Sequence, residues 1–238
     1  MSLKAFVAGA TGYTGKQVVT ALRHANITTV AHIRPGSPQR EHAIEYFEAQ
    51  GATVDSTPWA ADAITNTLKT HAPNLIFGLL GTTRRRAKDA EKAGLDPELQ
   101  SYEHVDFGYT AMLIDAGKQL PTPPKFIYLS SLGVHRNSKG AYLQARWRAE
   151  QHLQKSRLPF VIARPSFITG PDREESRPLE RAAAIAVDST LSLSRLVGAG
   201  RVHRKYGSIN AEALAAALVR LALDPQAENK IFASDLLR

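Results

Sequence analysis

Gly9-Ala10-Thr11-Gly12-Tyr13-Thr14-Gly15 decides how the rest of this sequence is read. The stretch follows an apolar run, Lys4–Gly9, that reads as a buried strand, and it precedes a helical pattern from about Gly15 to His24 with Val18, Val19 and Leu22 on one face. Three glycines at this spacing permit a tight strand-to-helix turn. They also let backbone N–H groups approach a pyrophosphate, whose charge the helix N-terminus then stabilises. Gly9, Thr11, Gly12, Tyr13, Thr14 and Gly15 are therefore candidate contacts for a dinucleotide. Turn glycines without a ligand are common elsewhere, but here spacing, position and flanking elements agree.

Outward from this loop the chain alternates strands and helices. Ile27–Ile33 reads as a second strand, Arg40–Gln50 as a polar-faced helix, Ala52–Asp55 as a short strand and Ala60–Lys69 as a helix. Leu75–Leu80 is continuously apolar, the pattern of a central parallel strand covered on both faces. A charged insertion, Thr82–Gln100, precedes a helix around Val105–Gln119. Phe126–Ser130, Ala141–Lys155 and Phe160–Ala163 then read as strand, helix and strand. Alternation of this kind implies right-handed crossovers and an α/β fold with a doubly wound parallel sheet of Rossmann type. Residues 166–238 carry one Ala/Leu-rich helix, Ala211–Leu223, and a strand near Ile231–Ala233. The expectation is one domain over 1–238, with 166–238 forming a small C-terminal lobe that caps the substrate side.

Composition narrows the function classes. In 238 residues, 43% are hydrophobic, enough for a sizeable core, and no apolar run approaches the ~20 residues of a membrane-spanning helix. Cysteine is absent and the eight histidines lack metal-ligand spacing, so no metal site is expected. Met1-Ser2-Leu3-Lys4 runs directly into a strand pattern with no room for a signal peptide, which makes a cytoplasmic address the default. The net charge of +8 invites a nucleic-acid reading, but the basic residues are scattered and no recognition motif accompanies them. An anionic phosphate ligand accounts for part of the excess more economically. Arg84-Arg85-Arg86 reads either as a solvated loop or as a clamp over phosphates or an acidic substrate.

The end of the second strand selects the cofactor. Sites that prefer NADH place an Asp or Glu there to bind the ribose hydroxyls. This chain has His32-Ile33-Arg34-Pro35-Gly36-Ser37 instead. A guanidinium pairs with a 2′-phosphate through two parallel hydrogen bonds, so Arg34 points to NADPH.

Four blocks carry a family resemblance: Leu80-Gly81-Thr82-Thr83-Arg84, Leu129-Ser130-Ser131, Tyr142-Leu143-Gln144 and Asp172-Arg173-x-Glu175-Ser176-Arg177-Pro178. With the glycine loop and Arg164-Pro165-Ser166, they make the chain resemble the atypical short-chain dehydrogenases. Within these it is most similar to the Tat-interacting-protein-like NADPH oxidoreductases. The resemblance implies carbonyl reduction by a Ser–Tyr–Lys arrangement. Tyr142 would then be the acid and Ser131 the substrate-binding hydroxyl, with Ser130 in reserve. The lysine position, four residues after the tyrosine, holds Arg146, placed by i, i+4 spacing on the same helix face. The resemblance also implies Gly81 and Thr82 beside the cofactor, and Ile168 and Arg177 near its nicotinamide or phosphate end. Arginine stays protonated at any working pH and is a poor proton relay. Two functions thus stay open: an NADPH-dependent reductase of a small carbonyl substrate, and an NADPH-binding sensor without turnover that acts through a protein partner. Homo-oligomers are compatible with either.

Overall fold

Strand side chains here alternate between two separate cores, and that alternation builds a three-layer molecule. The computed structural model describes residues 2–37, 40–169 and 208–237. Strands β1 (Lys4–Ala8), β2 (Thr28–His32), β3 (Thr53–Asp55), β4 (Leu75–Gly78), β5 (Lys125–Leu129), β6 (Phe160–Arg164) and β9 (Lys230–Ala233) form one sheet in the order β3-β2-β1-β4-β5-β6-β9. Every pairing in it is parallel. β7 (Ile168–Thr169) and β8 (Ile209–Asn210) make a separate two-stranded parallel ladder.

Ala5 and Val7 of β1, Phe77 of β4 and Ile127 of β5 face one core. Helices α1 (Tyr13–His24), α2 (Arg40–Ala49) and the helix Ala211–Leu223 close it, the last packing along α1. Phe6, Ile76, Phe126 and Tyr128 face the other, under α3 (Ala61–His71), α5 (Thr110–Gly117) and α6 (Ala141–Lys155). Burial on both faces is why these strands are nearly continuous in apolar residues. The expected doubly wound parallel sheet is the observed one. Part of the segment expected to cap the substrate side returns to this sheet, since β9 pairs with β6 and Ala211–Leu223 covers α1.

Two local readings change. The charged insertion contains α4 (Arg84–Lys92) and a 3-10 turn, Pro97–Gln100. α4 has too few apolar residues to show a helical period, and it starts at Thr83, whose side chain accepts a hydrogen bond from the Arg86 N–H. The helix expected around Val105 begins as a π-helix over Tyr102–Tyr109 before becoming α5. Following α1 to α6 in chain order, Ala211–Leu223 is named α7 below.

Strand order reverses between β1 and β4, whose neighbours β2 and β5 lie on opposite sides. In an open parallel sheet, ligands bind outside the carboxyl ends of the strands at that point. Gly9, Arg34, Gly81, Ser130 and Ser131 all follow strand ends on that edge.

Candidate functional site

The glycine loop is folded tightly between β1 and α1. Gly12 N–H donates to the Gly9 carbonyl at 3.0 Å. Gly9 has φ +87°, and a Cβ at Gly15 would lie 2.1 Å from the Gly9 oxygen, so a side chain at Gly15 is sterically excluded. A Cβ at Gly12 would meet only the Gly9 oxygen, at 3.2 Å. Gly12 is therefore not required by the turn itself to the same degree. α1 starts from Gly12 with no side-chain cap and no acidic residue in its first turn. The positive dipole end of the helix there favours an anion. This cradle fits the pyrophosphate of a dinucleotide. Thr14 is buried and Thr11 exposed, and the Tyr13 hydroxyl donates to the Thr169 carbonyl at 3.2 Å, tying the loop to β7.

Arg34 directly follows β2 and Ile33, and is solvent-accessible. Its Nη1 donates to Gln100 Oε1 at 3.5 Å, a neutral partner. Partial burial and then the charge of Arg86 lower its pKa, while Tyr109 opposes them.

Arg146 does not reach into the cleft as a free cation. It is 6% exposed, and its Nη1 donates to the Leu129 carbonyl and, at 3.4 Å, to the Tyr128 hydroxyl. Nη2 donates to the Leu80 carbonyl at 2.9 Å and lies 2.9 Å from Asp106 Oδ1. Asp106, fully buried on the π-helix, accepts the Thr82 N–H on Oδ2 at 3.0 Å. A Cβ on Gly81 would come within 2.8 Å of Nη2, so the glycine makes room for the guanidinium. Burial disfavours the charge on Arg146, but the Tyr128 and Tyr142 phenols and the Asp106 carboxylate outweigh it, raising its pKa well above the usual arginine value. Among these groups the Asp106 carboxylate supplies the formal counter-charge. Burial likewise pushes the Tyr128 phenol far up. Asp106 is a site residue that the sequence does not reveal, because a lone Asp in a polar-aromatic stretch looks like a surface residue.

Tyr142, near the start of α6, is half-buried. The Arg146 guanidinium lies 5.3 Å from its ring centroid, and the Tyr102 ring meets it edge-on at 5.4 Å. The two serines after β5 part company. Ser130 is buried and donates to Glu150, whose carboxylate also receives both ends of the Arg164 guanidinium. Ser131 is half-buried, and its hydroxyl has one long bond, 3.3 Å to the Leu132 carbonyl. The turn that follows brings Gly133 against Leu143, next to Tyr142 on α6. Thr82 is 4% exposed and its Oγ1 has no hydrogen-bond partner among the described residues. Ile168 is half-buried in β7, while Arg177 lies outside the described residues. Among the described residues no group of side chains could hold a metal ion, and no helix is long and apolar enough to cross a membrane.

A family profile described as NAD(P)H-binding matches residues 9–225. "Protein fmp52-1, mitochondrial" of Aspergillus terreus is 27% identical over 177 residues, covering 74% of this chain and 70% of the relative. "Protein fmp52, mitochondrial" of Emericella nidulans is 30% identical over 183 residues, covering 74% and 70%. A putative NAD-dependent epimerase/dehydratase from Bacillus halodurans superposes with a TM-score of 0.67 at 16% identity, over 97% of this chain and 92% of that one. The cytoplasmic address expected by default is corrected by these comparisons, because the fungal relatives are named as mitochondrial.

Proposed function

The chain belongs to the NAD(P)H-binding family, and from that premise we propose that it is an NADPH-dependent reductase of atypical short-chain dehydrogenase/reductase type acting on a small carbonyl substrate, with Tyr142 as acid and Ser131 as the hydroxyl that holds the substrate oxygen. The observation that carries the cofactor choice is Arg34 at the end of β2, with the uncapped start of α1 beside it on the same sheet edge. Its side chain offers parallel donors where a carboxylate would repel a 2′-phosphate.

NADPH supplies a hydride when bound. The loop Gly9–Gly15 would take the pyrophosphate, with Gly81 and Thr82 beside the cofactor. Ser131 donates to the substrate oxygen and Tyr142 delivers the proton to it. Arg146 holds the Leu80 and Leu129 ends of β4 and β5 together and keeps a fixed positive charge beside the Tyr142 ring. It acts as a support, not as a proton relay. Tat-interacting-protein-like subgroup membership, a role for Ile168 and Arg177 at the cofactor, and a substrate-side cap from 166–238 belong to the same reading.

One observation favours the second function, an NADPH sensor acting through a protein partner. The guanidinium standing at the family's lysine position is committed to protein groups.

Calorimetric titration of NADPH and NADH tests the cofactor choice. A preference for NADPH of roughly 10- to 150-fold is expected from one charge-assisted contact, and reversal in Arg34→Asp. Equal affinities in the unmodified protein overturn it. NADPH oxidation across aldehydes, ketones and quinones separates reductase from sensor.

A further inference from the structure

The π-helix Tyr102–Tyr109 packs along α6 in a definite register. Tyr102 meets Tyr142, and one turn further along both helices Asp106 meets Arg146. The second meeting is the buried ion pair. The first is an edge-on contact of two rings, 5.4 Å between centroids at 61°. Tyr142 depends on such contacts for its orientation. It is the second residue of α6, which starts from Gly140 at φ +89° with no side-chain cap. Its ring is half-buried, and its hydroxyl has no hydrogen bond to any described residue. Two groups border the ring: the Arg146 guanidinium, 5.3 Å from its centroid, and Tyr102. Arg146 is itself fixed by the Leu80 and Leu129 carbonyls and by Asp106. Tyr102 is fixed through its backbone. Ser101 caps the start of the π-helix by accepting the His104 N–H at 3.0 Å, and Asp106 ties the same helix to Arg146. The contacts close a circuit through Tyr142, Tyr102, Asp106 and Arg146, in which the two supports of the Tyr142 ring are joined to each other.

We propose that Tyr102 is a positioning residue for the proton donor, its ring setting the angle at which the Tyr142 phenol meets the substrate oxygen. The inference rests on the reductase reading above and deepens it by naming what aims the acid. A donor works only within hydrogen-bond reach of its acceptor, and a misplacement of about 1 Å can cost on the order of 10²-fold in rate. Rotation about the Tyr142 Cα–Cβ bond moves its oxygen further than that, because the hydroxyl sits at the far end of the ring. An edge-on aromatic neighbour favours one orientation, since the positive edge of one ring meets the negative face of the other. The Tyr102 hydroxyl, like that of Tyr142, has no hydrogen bond to a described residue. The ring is therefore the part of Tyr102 that is engaged.

Steady-state kinetics of the full chain with NADPH, using benzaldehyde, cyclohexanone and menadione as carbonyl probes, test the assignment alongside calorimetric NADPH affinity. Tyr102→Ala is expected to lower kcat about tenfold or more while NADPH affinity stays unchanged. Its solvent deuterium isotope effect on kcat should rise, because a misaligned donor makes proton transfer the slow step. Tyr102→Phe keeps the ring and is expected to restore both kcat and the isotope effect. If Tyr102→Ala turns over normally while Tyr142→Phe is inactive, the positioning role is wrong and the reductase reading stands. If Tyr102→Phe is as slow as Tyr102→Ala, the hydroxyl acts and not the ring, and the proposal falls. It falls equally if kcat, NADPH affinity and melting temperature drop together in Tyr102→Ala, which marks a general loss of structure. If the unmodified protein reduces none of the probes, or Tyr142→Phe reduces them normally, the reductase reading itself fails and takes the proposal with it.

Discussion

Asp106 and Arg146 form an ion pair inside the protein, 2.9 Å between Oδ1 and Nη2, and the pair joins a π-helix to the carboxyl ends of two sheet strands. Asp106 simultaneously holds the Thr82 N–H, so one carboxylate fixes both the arginine and the backbone bordering the site. A guanidinium reaches the Leu80 and Leu129 carbonyls, the Tyr128 hydroxyl and Asp106 in fixed directions, whereas an ammonium is a point charge.

Removing one member leaves the other as a buried charge. Asp106→Ala is expected to destabilise the protein by roughly 3–5 kcal/mol, read from urea unfolding. Arg146→Met should cost a similar amount, and the double variant less than the sum. Arg146→Lys is expected to lose about 1–3 kcal/mol through abandoned carbonyl acceptors. Additive losses in the double variant would show that the two side chains are not coupled.

The glycine loop predicts a split between folding and binding. Gly15→Ala places a Cβ 2.1 Å from the Gly9 oxygen and is expected to unfold or severely destabilise the chain. Gly12→Ala meets that oxygen at 3.2 Å and should fold, losing tenfold or more in NADPH affinity. Circular dichroism melts and calorimetric titration on both variants make the comparison. A Gly12→Ala protein that binds NADPH normally would remove this loop from the phosphate site.

Tyr142→Phe should abolish nearly all turnover while NADPH affinity stays within a few fold, since the phenol acts in the transition state. Ser131→Ala should lower turnover by about 10²-fold or more with little change in stability. Ser130→Ala should act on stability instead, by about 1–3 kcal/mol, because Glu150 loses a buried donor. Vigorous turnover in Tyr142→Phe would send the search for the acid elsewhere.

Acid should destabilise the fold in two stages. His32 is buried between Phe6 and Trp59, and desolvation lowers its pKa below 6.5, against a Thr57 hydrogen bond and the Asp55 charge that raise it. A lowered histidine leaves the unfolded chain holding more protons, so stability is full above pH 6.5 and falls below it. One proton limits that slope to about 1.4 kcal/mol per pH unit. Burial raises the Asp55 pKa, but bonds from Thr57, Thr67 and His71 outweigh it and hold the carboxyl below 3.8. Its contribution is present above pH 3.8 and lost as pH falls through the lower folded value. Urea midpoints from pH 3 to 8 check both stages. His32→Phe should remove the upper one, and an unchanged slope between pH 5 and 6.5 in that variant would exclude His32 as its source.

Periodicity and glycine spacing made the order of elements, the glycine turn after β1 and the place of Arg34 after β2 readable, since each depends on neighbours within a few residues. What stayed hidden depends on distant partners. Asp106 and Glu150 look like surface acids until Arg146 and Arg164 are folded against them. Ser130 and Ser131 are chemically alike in sequence, and Glu150 alone separates them. α4 escaped notice because its sequence, RRRAKDAEK, offers almost no apolar stripe, and only Ala90 is buried.

The packing of α7 on α1 has a consequence during synthesis. The two helices are roughly 190 residues apart in the chain, and a ribosome adding about 5–20 residues per second needs on the order of 10–40 s to cover that distance. Throughout that interval the core to which Val18, Val19 and Leu22 of α1 contribute lacks the wall that α7 provides. A nascent chain can therefore shape its glycine loop early, yet it carries an incompletely covered apolar core until the segment with α7 emerges. Chaperone engagement, or early capture of the cofactor, would matter most in that window.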